Sequence, residues 1–244
     1  MIETLIALFA AHVVADYVVQ TGWMVQNKAK PWVLALHGGI VLATAIAITG
    51  NATAWQIYAL GAAHLAIDVF KTYVLRDDIN AYLLDQCAHL ITLFAVALAV
   101  PDLWSDGIWM TLTHGVPNWV LHAMILIAGV IYTTRAGGFA IGKLMTPFSD
   151  NALKEGLENG GALIGLLERG LIYLMLMAGQ PAGIGFLIAA KSVMRFETAS
   201  KEQKAAEYVI IGTLASFGWA ILISLGVIAL RNALPPLEIM QPTS

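Results

Sequence analysis

The chain has 244 residues, of which 59% are hydrophobic and 12% charged, about half the charged share of an ordinary soluble domain. With a mean hydropathy of +0.75, this excludes a soluble globular protein; the net charge of −3 says little about partners, because the charges fall at loops and inside apolar stretches. The single cysteine, Cys87, excludes an intrachain disulfide and a cysteine zinc site and reads as a small core residue.

Taken in order, eight stretches are apolar and long enough to cross a bilayer: residues 3–21, 32–50, 53–75, 81–100, 117–134, 160–178, 181–195 and 208–230. The first opens MIETLIALFAAHVV, with no basic leader, Glu3 and an Asp inside the apolar run, so a cleavable signal is not expected. The seventh, GQPAGIGFLIAAKSVMRF, is short and glycine-rich. Residues 135–159, with GG, TPFSD and ALKEGLEN, are expected on the cytoplasmic side as a surface helix. The fold expected is an all-α polytopic bundle in two parts, residues 1–105 and 106–244.

Basic residues fall at alternate connections: Lys28 and Lys30, then Lys71 and Arg76, then Arg135, Lys143 and Lys154, then Lys191, Arg195, Lys201 and Lys204. Only Arg169, inside span six, and Arg231, after span eight, break the pattern. By the positive-inside rule those connections face the cytoplasm. Both termini then lie outside an inner membrane. Trp23, Trp32, Trp104, Trp109 and Trp119 sit near the predicted interfaces as an aromatic belt.

The first span carries AAHVVAD and the third AAHLAID. His12 and His64, Asp16 and Asp68, and His37 and His89 are each 52 residues apart. The unit repeated is a helical hairpin with HxxxD on its first helix and a lone His on its second. Two such units form a tandem, parallel repeat over residues 1–100.

Residues four apart share a helix face, so His12 and Asp16, His64 and Asp68, and Asp85 and His89 each point one way. Gln20 extends the first stripe and Lys71 the second. All fall in the half of their spans predicted nearest the cytoplasm. An isolated charge at the bilayer centre costs about 2.5–3.5 kcal/mol on insertion scales. A divalent ion removes that cost, and imidazole and carboxylate are its usual ligands. His12, Asp16, His37, His64, Asp68 and His89 are therefore the expected ligands of one or two divalent ions, zinc first. Asp85 is expected as base or bridging ligand, and Gln86 as the group orienting a water. The alternatives are an ion or proton path and a structural polar network; bis-histidine haem leaves the paired aspartates unexplained. His114 and His122 read as incidental.

In the second half, Glu168, Arg169, Lys191 and Arg195 form another polar group. Lys191 and Arg195, four apart, suit a phosphate or lipid headgroup; salt bridging to Glu168 or Glu197 is the plainer reading. Gly161 and Gly165, and Gly179 and Gly183, suit close helix packing. No phosphate loop, nucleotide fingerprint, nucleophile elbow or nucleic-acid motif occurs.

The set HxxxDxxxQ (His12, Asp16, Gln20), lone His37, HxxxDxxK (His64, Asp68, Lys71) and DQxxH (Asp85, Gln86, His89) resembles the domain-of-unknown-function 3307 family of bacterial and phage membrane proteins. That domain corresponds to residues 1–105, and longer members carry a second half like LIGLLERGLIY, AAKSVMRFE and EYVIIGTLAS. The resemblance implies the membrane topology and the identity of the polar positions, and no activity. The HxxxD pattern is also similar to that of membrane-bound metal-dependent hydrolases, by analogy of motif.

The leading expectation is an inner-membrane, metal-dependent hydrolase of a lipid or lipid-linked phosphate ester. Gln20, Lys71, Glu168, Arg169, Lys191 and Arg195 are its substrate-side residues. The competing expectation is a divalent-ion or proton transporter. Against it, the outer halves of the first four spans, ETLIALFA, VLATAIAIT, AWQIYALGA and ITLFAVALAV, are almost wholly apolar. Nucleic acid is not an expected partner, and a homo-oligomer is left open.

Overall fold

The computed structural model describes residues 1–112, 115–151, 159–199 and 203–237. His114, Lys154, Lys201 and most of ALKEGLEN lie outside the described residues, as does the Arg195 side chain. Every regular element described is helical. Helix α1 (Ile2–Val14) runs directly into a π-helical turn, Ala15–Val19; α2 (Gly22–Gln26), α3 (Pro31–Thr49), α4 (Trp55–Val74) and α5 (Ile79–Ala99) follow. After α6 (Ile108–Leu112), α7 (Trp119–Ile131) continues through a second π turn, Tyr132–Ala136, into α8 (Gly137–Met145) and a 3-10 turn, Thr146–Asn151. The chain then forms α9 (Gly160–Met177), α10 (Ala182–Ala199) and α11 (Gln203–Asn232).

Among the described residues, six helical segments are long and apolar enough to cross a membrane: Ile2–Val19, Pro31–Thr49, Ile79–Ala99, Trp119–Ser149, Gly160–Met177 and Gln203–Asn232. Helix α4 has the length but is diluted by Gln56, His64, Asp68 and Lys71. Among the described residues, α10 contributes a shorter apolar stretch, Ala182–Lys191. The span expected to stop at residue 134 instead runs to Ser149, since Gly137 and Gly138 continue in helical conformation as the start of α8.

The chain divides into two compact units, Met1–Ala128 with Ala229–Ser244, and Gly129–Ile228. In the first, α1 packs against α3 and α5, and α4 packs against the same two helices. The four make a closed ring, an arrangement whose interior commonly holds side-chain metal sites. Of the α1 span 61% is buried, against 39% for α3 and for α5, which makes α1 the innermost member.

One end of this ring is shut. Ile6, Leu8, Ile57, Ala97, Leu103 and Trp104 are all nearly inaccessible there. The Thr4 hydroxyl donates to the Pro101 carbonyl at 2.7 Å and accepts from Trp104 N–H at 3.2 Å, tying the α5–α6 connection across the start of α1. Gly50 ends α3 in left-handed backbone (φ 67°), and a Cβ there would lie 2.5 Å from the Trp109 ring. A glycine is required on both counts. At the other end the helix starts are set locally: Pro31 opens α3 at a position where its missing N–H costs nothing, and Asp78 caps α5 by accepting from Ala81 N–H at 2.8 Å.

In the second unit the core is Ile172, Ile184, Phe217 and Ala220, one layer each from α9 and α10 and two from α11. Met175, Leu176, Leu187 and Ile221 pack around it.

Candidate metal centre

The polar stripes predicted from the sequence meet inside the four-helix ring. His12, His37, His64, Asp68, Asp85 and His89 are each no more than 3% exposed. The Asp16 side chain is 9% exposed and stands in the π turn that ends the first span. Such turns insert a residue into a helix and recur at functional sites. After it, Gln20 leaves helical conformation (ψ 107°), so the stripe ends there.

Four atoms from three helices form a tight cage. His37 Nε2 lies 3.5 Å from Asp16 Oδ1 and 3.3 Å from Asp68 Oδ2. His64 Nε2 lies 3.5 Å and 3.6 Å from the same two oxygens. The two Nε2 atoms are 3.3 Å apart. A tetrahedral zinc ion with bonds of about 2.0–2.2 Å has its ligand atoms about 3.3–3.6 Å apart, roughly 1.6 bond lengths. These five separations are of that size; the set in which all atoms are mutually close is Asp16, His37 and His64, and Asp68 also lies with Asp85 and His89. Two imidazole nitrogens facing one another also suit an ion better than a hydrogen bond, in which one must keep its proton.

A second group adjoins it. His89 stacks on His64 with ring centroids 4.0 Å apart and is 5.2 Å from His12. His89 Nδ1 lies 3.9 Å from Asp85 Oδ1. His12, His64 and His89 each offer an atom within 4.8 Å of the others, and so do Asp68, Asp85 and His89. Many inward atoms have no hydrogen-bond partner: both His12 nitrogens, both His89 nitrogens, Asp16 Oδ1, Asp68 Oδ2 and Asp85 Oδ1. Buried polar atoms are normally satisfied, so this concentration fits a coordinated cation. His37 Nδ1 is also without a partner, so no acceptor fixes its tautomer from behind.

Two lysines clamp the other side of the carboxylates. Lys28 Nζ donates to Asp68 Oδ1 at 2.7 Å, leaving Oδ2 on the cage. Lys71 Nζ donates to Asp85 Oδ2 at 2.7 Å, where Gln86 Nε2 also donates at 3.1 Å. Against Asp16, Asp68 and Asp85, the two ammonium groups leave Asp16 without a fixed counter-charge. Lys28 and Lys71 are 18% and 21% exposed, so the cluster approaches solvent at their end of the ring.

The geometry therefore brings together His12, Asp16, His37, His64, Asp68, Asp85, Gln86 and His89, but not in the sets the repeat suggested. Asp16 and His37 of one hairpin come together with His64 of the other, while Asp68 groups with Asp85 and His89. Lys71, expected on substrate, is engaged by Asp85. Gln20 Nε2 is buried without a partner. Glu168, Arg169 and Lys191 lie in the second unit, where Lys191 Nζ donates to Glu168 Oε2 at 2.7 Å. His122 Nε2 is 2.9 Å from the Pro235 carbonyl, a structural role.

Two features escaped the sequence. Lys28 read as an ordinary loop lysine, because nothing in its spacing ties it to Asp68, 40 residues on. Tyr17 in the π turn and Tyr82 on α5, whose hydroxyls are 2.8 Å apart, were not singled out. The only signal was adjacency in sequence, to Asp16 in one case and near Asp85 in the other.

No curated protein and no solved structure matches the chain. Residues 4–114, which carry every side chain of the cage and its lysine clamps, match the family described as Protein of unknown function (DUF3307).

Proposed function

We propose that the first unit binds one or two divalent cations, zinc first, and uses them to hydrolyse a lipid or lipid-linked phosphate ester at the cytoplasmic face of the inner membrane. The single observation that carries this is the cage of Asp16, His37, His64 and Asp68, with five separations of 3.3–3.6 Å. One of the adjoining groups, His12 with His64 and His89 or Asp68 with Asp85 and His89, would hold a second ion. A bound divalent ion supplies a Lewis acid and a water acidified to a pKa of about 7. Asp85 has one oxygen held by Lys71 and Gln86 and the other without a hydrogen-bond partner, as a base requires.

The topology belongs to the same proposal. Helix α4 serves as a span despite its polar residues, because His64 and Asp68 face the ring while Tyr58, Val69, Phe70, Tyr73 and Val74 face outward. With α10 also crossing, the count is eight, and both termini lie outside. The hairpins α1–α3 and α4–α5 are read as a duplicated unit, supported by the three pairs 52 residues apart. Lys28, Lys30, Lys71 and Arg76 gather where the cluster approaches solvent, which favours a cytoplasmic opening. Trp23 and Trp32, both exposed and with ring centroids 5.4 Å apart, suit the headgroup layer beside that opening.

A second reading has its own observation. The four imidazoles make a continuous series, His12–His89–His64–His37, with neighbouring centroids 5.2, 4.0 and 5.4 Å apart. Such a series suits a proton path. The apolar closure behind it, from Ile6 to Trp104, favours the enzyme.

Elemental analysis of the purified chain tests the proposal, comparing wild type with His37→Ala/His64→Ala. Metal at about one or two ions per chain, lost in the double variant, with phosphate release from a lipid phosphate ester abolished in Asp85→Asn, is the expected result. A wild type that neither retains nor takes up metal contradicts it. Proton flux into liposomes that stops in Asp16→Asn/Asp68→Asn would move the assignment to the transporter.

A further inference from the structure

The second unit holds a buried charge of the opposite sign. Arg169 stands at the tenth residue of the 18-residue helix α9 and is 4% exposed. Its Nε and Nη2 donate to the Thr134 carbonyl at 3.1 and 2.9 Å, and Nη1 donates to Ser216 Oγ at 3.1 Å. These partners are neutral. The neighbouring carboxylate, Glu168, is taken by Lys191. Among the described residues no carboxylate forms an ion pair with Arg169.

A guanidinium carries five N–H groups in a fork. Three are used here, which leaves one on each terminal nitrogen. Those nitrogens border a cavity of about 330 Å³ between α8, α9, α10 and α11, the small end of the range for ligand sites. Glycines shape it. A Cβ at Gly165 would come 3.0 Å from Arg169 Nη1, and one at Gly138 3.3 Å from Nη2, whereas at Gly142 or Gly161 it would meet nothing within 4 Å. The first pair leaves room for the guanidinium and the second leaves the cavity open. Tyr208, Thr213 and Ser216 also line the cavity, so residues with hydroxyl groups share it with Arg169, and Ser216 Oγ touches the guanidinium.

We infer that this cavity is an anion site for a phosphate group, with Arg169 as its counter-ion. An oxyanion accepts both remaining N–H groups in the bidentate geometry that arginine favours. Its further oxygens accept from the hydroxyls. Phosphate uses all these donors, and it comes either as a phospholipid headgroup or as a soluble phosphate. Lys191, committed to Glu168, is not the holding residue. The site lies wholly within the second unit and does not depend on the metal reading.

The test uses the full chain in detergent. Inorganic phosphate is titrated by calorimetry, and phosphatidylglycerol and phosphatidylcholine are added separately and scored by native mass spectrometry. The variants are Gly161→Leu, Gly142→Leu, Arg169→Gln and His37→Ala/His64→Ala. Leucine favours helix over glycine, so the two filling variants should fold at least as well as wild type. Filling or loss of the charge-assisted pair should weaken binding about tenfold or more, while the His37/His64 variant binds as wild type does. Response to phosphatidylglycerol alone assigns a lipid headgroup; response to inorganic phosphate assigns a soluble ligand. Failure of wild type to bind any of the three probes overturns the inference, as does undiminished binding in folded Gly161→Leu and Gly142→Leu.

Discussion

The two units bury charge in opposite ways. In the first, three carboxylates face two lysines and four imidazoles, so carboxylates outnumber the lysines that pair with them. In the second, a carboxylate and a lysine cancel, and Arg169 is left with neutral partners. A charge buried without a partner costs several kcal/mol. On the readings proposed above, each unit is completed by a ligand of opposite sign, a cation in the first and an anion in the second.

The sharpest way to break this contrast is to remove the two imidazoles of the cage. His37→Ala/His64→Ala should lower zinc affinity by about two orders of magnitude or more, read by competition with a chromophoric chelator. Phosphate binding in the second unit should not change. If both fall together, the units are not independent sites.

Next in size is Asp68→Asn. It takes one oxygen from the cage and leaves Lys28 unpaired. Because Lys28 is 18% exposed, the stability loss should stay near about 1–3 kcal/mol rather than the full cost of a buried broken pair. Thermal unfolding in detergent measures it, and zinc should restore less of the loss than in wild type.

Lys28→Met sharpens the sign of the argument. Without that ammonium group the centre is more negative, so the metal-free protein should unfold earlier. Added zinc should then raise Tm by more than in wild type, because the ion replaces a lost counter-charge. An equal or smaller rise would mean that the lysine supports the ligand geometry more than it competes with the ion.

How far the sequence carried this reading is visible residue by residue. His12, Asp16, His64 and Asp68 were legible, since ionisable groups four apart on an apolar helix must share a face. That His37 and His89 join them followed from the common offset of 52. Which of these side chains come closest together was not legible. Spacing fixes a direction on one helix, whereas the cluster is made by the first span, α3 and α4 packing together. The 52-residue offset does not extend to the other polar groups: the positions it pairs with Lys71, Asp85 and Lys28 are Val19, Val33 and Asn80. The π turn at Ala15–Val19 has no mark in composition. Arg169 stood out as a charge within a span, but its neutral partners come from Thr134 and Ser216, too far along the chain for spacing to indicate.

The smallest expected effect belongs to Tyr17→Phe. It removes one side of the Tyr17–Tyr82 hydroxyl pair, which should cost about 0.5–1.5 kcal/mol. Zinc affinity should stay within about twofold, a change near the scatter of such measurements. A loss comparable to that of Asp68→Asn would bring the tyrosines into the centre itself.

The most direct measurement is X-ray absorption at the zinc edge on the full chain loaded with one equivalent of metal. The account predicts four nitrogen or oxygen neighbours at about 2.0–2.1 Å with the outer-shell signature of two imidazoles. In His37→Ala/His64→Ala that signature should vanish. A spectrum of water oxygens alone, or one unchanged in the double variant, would show that Asp16, His37, His64 and Asp68 do not hold the ion.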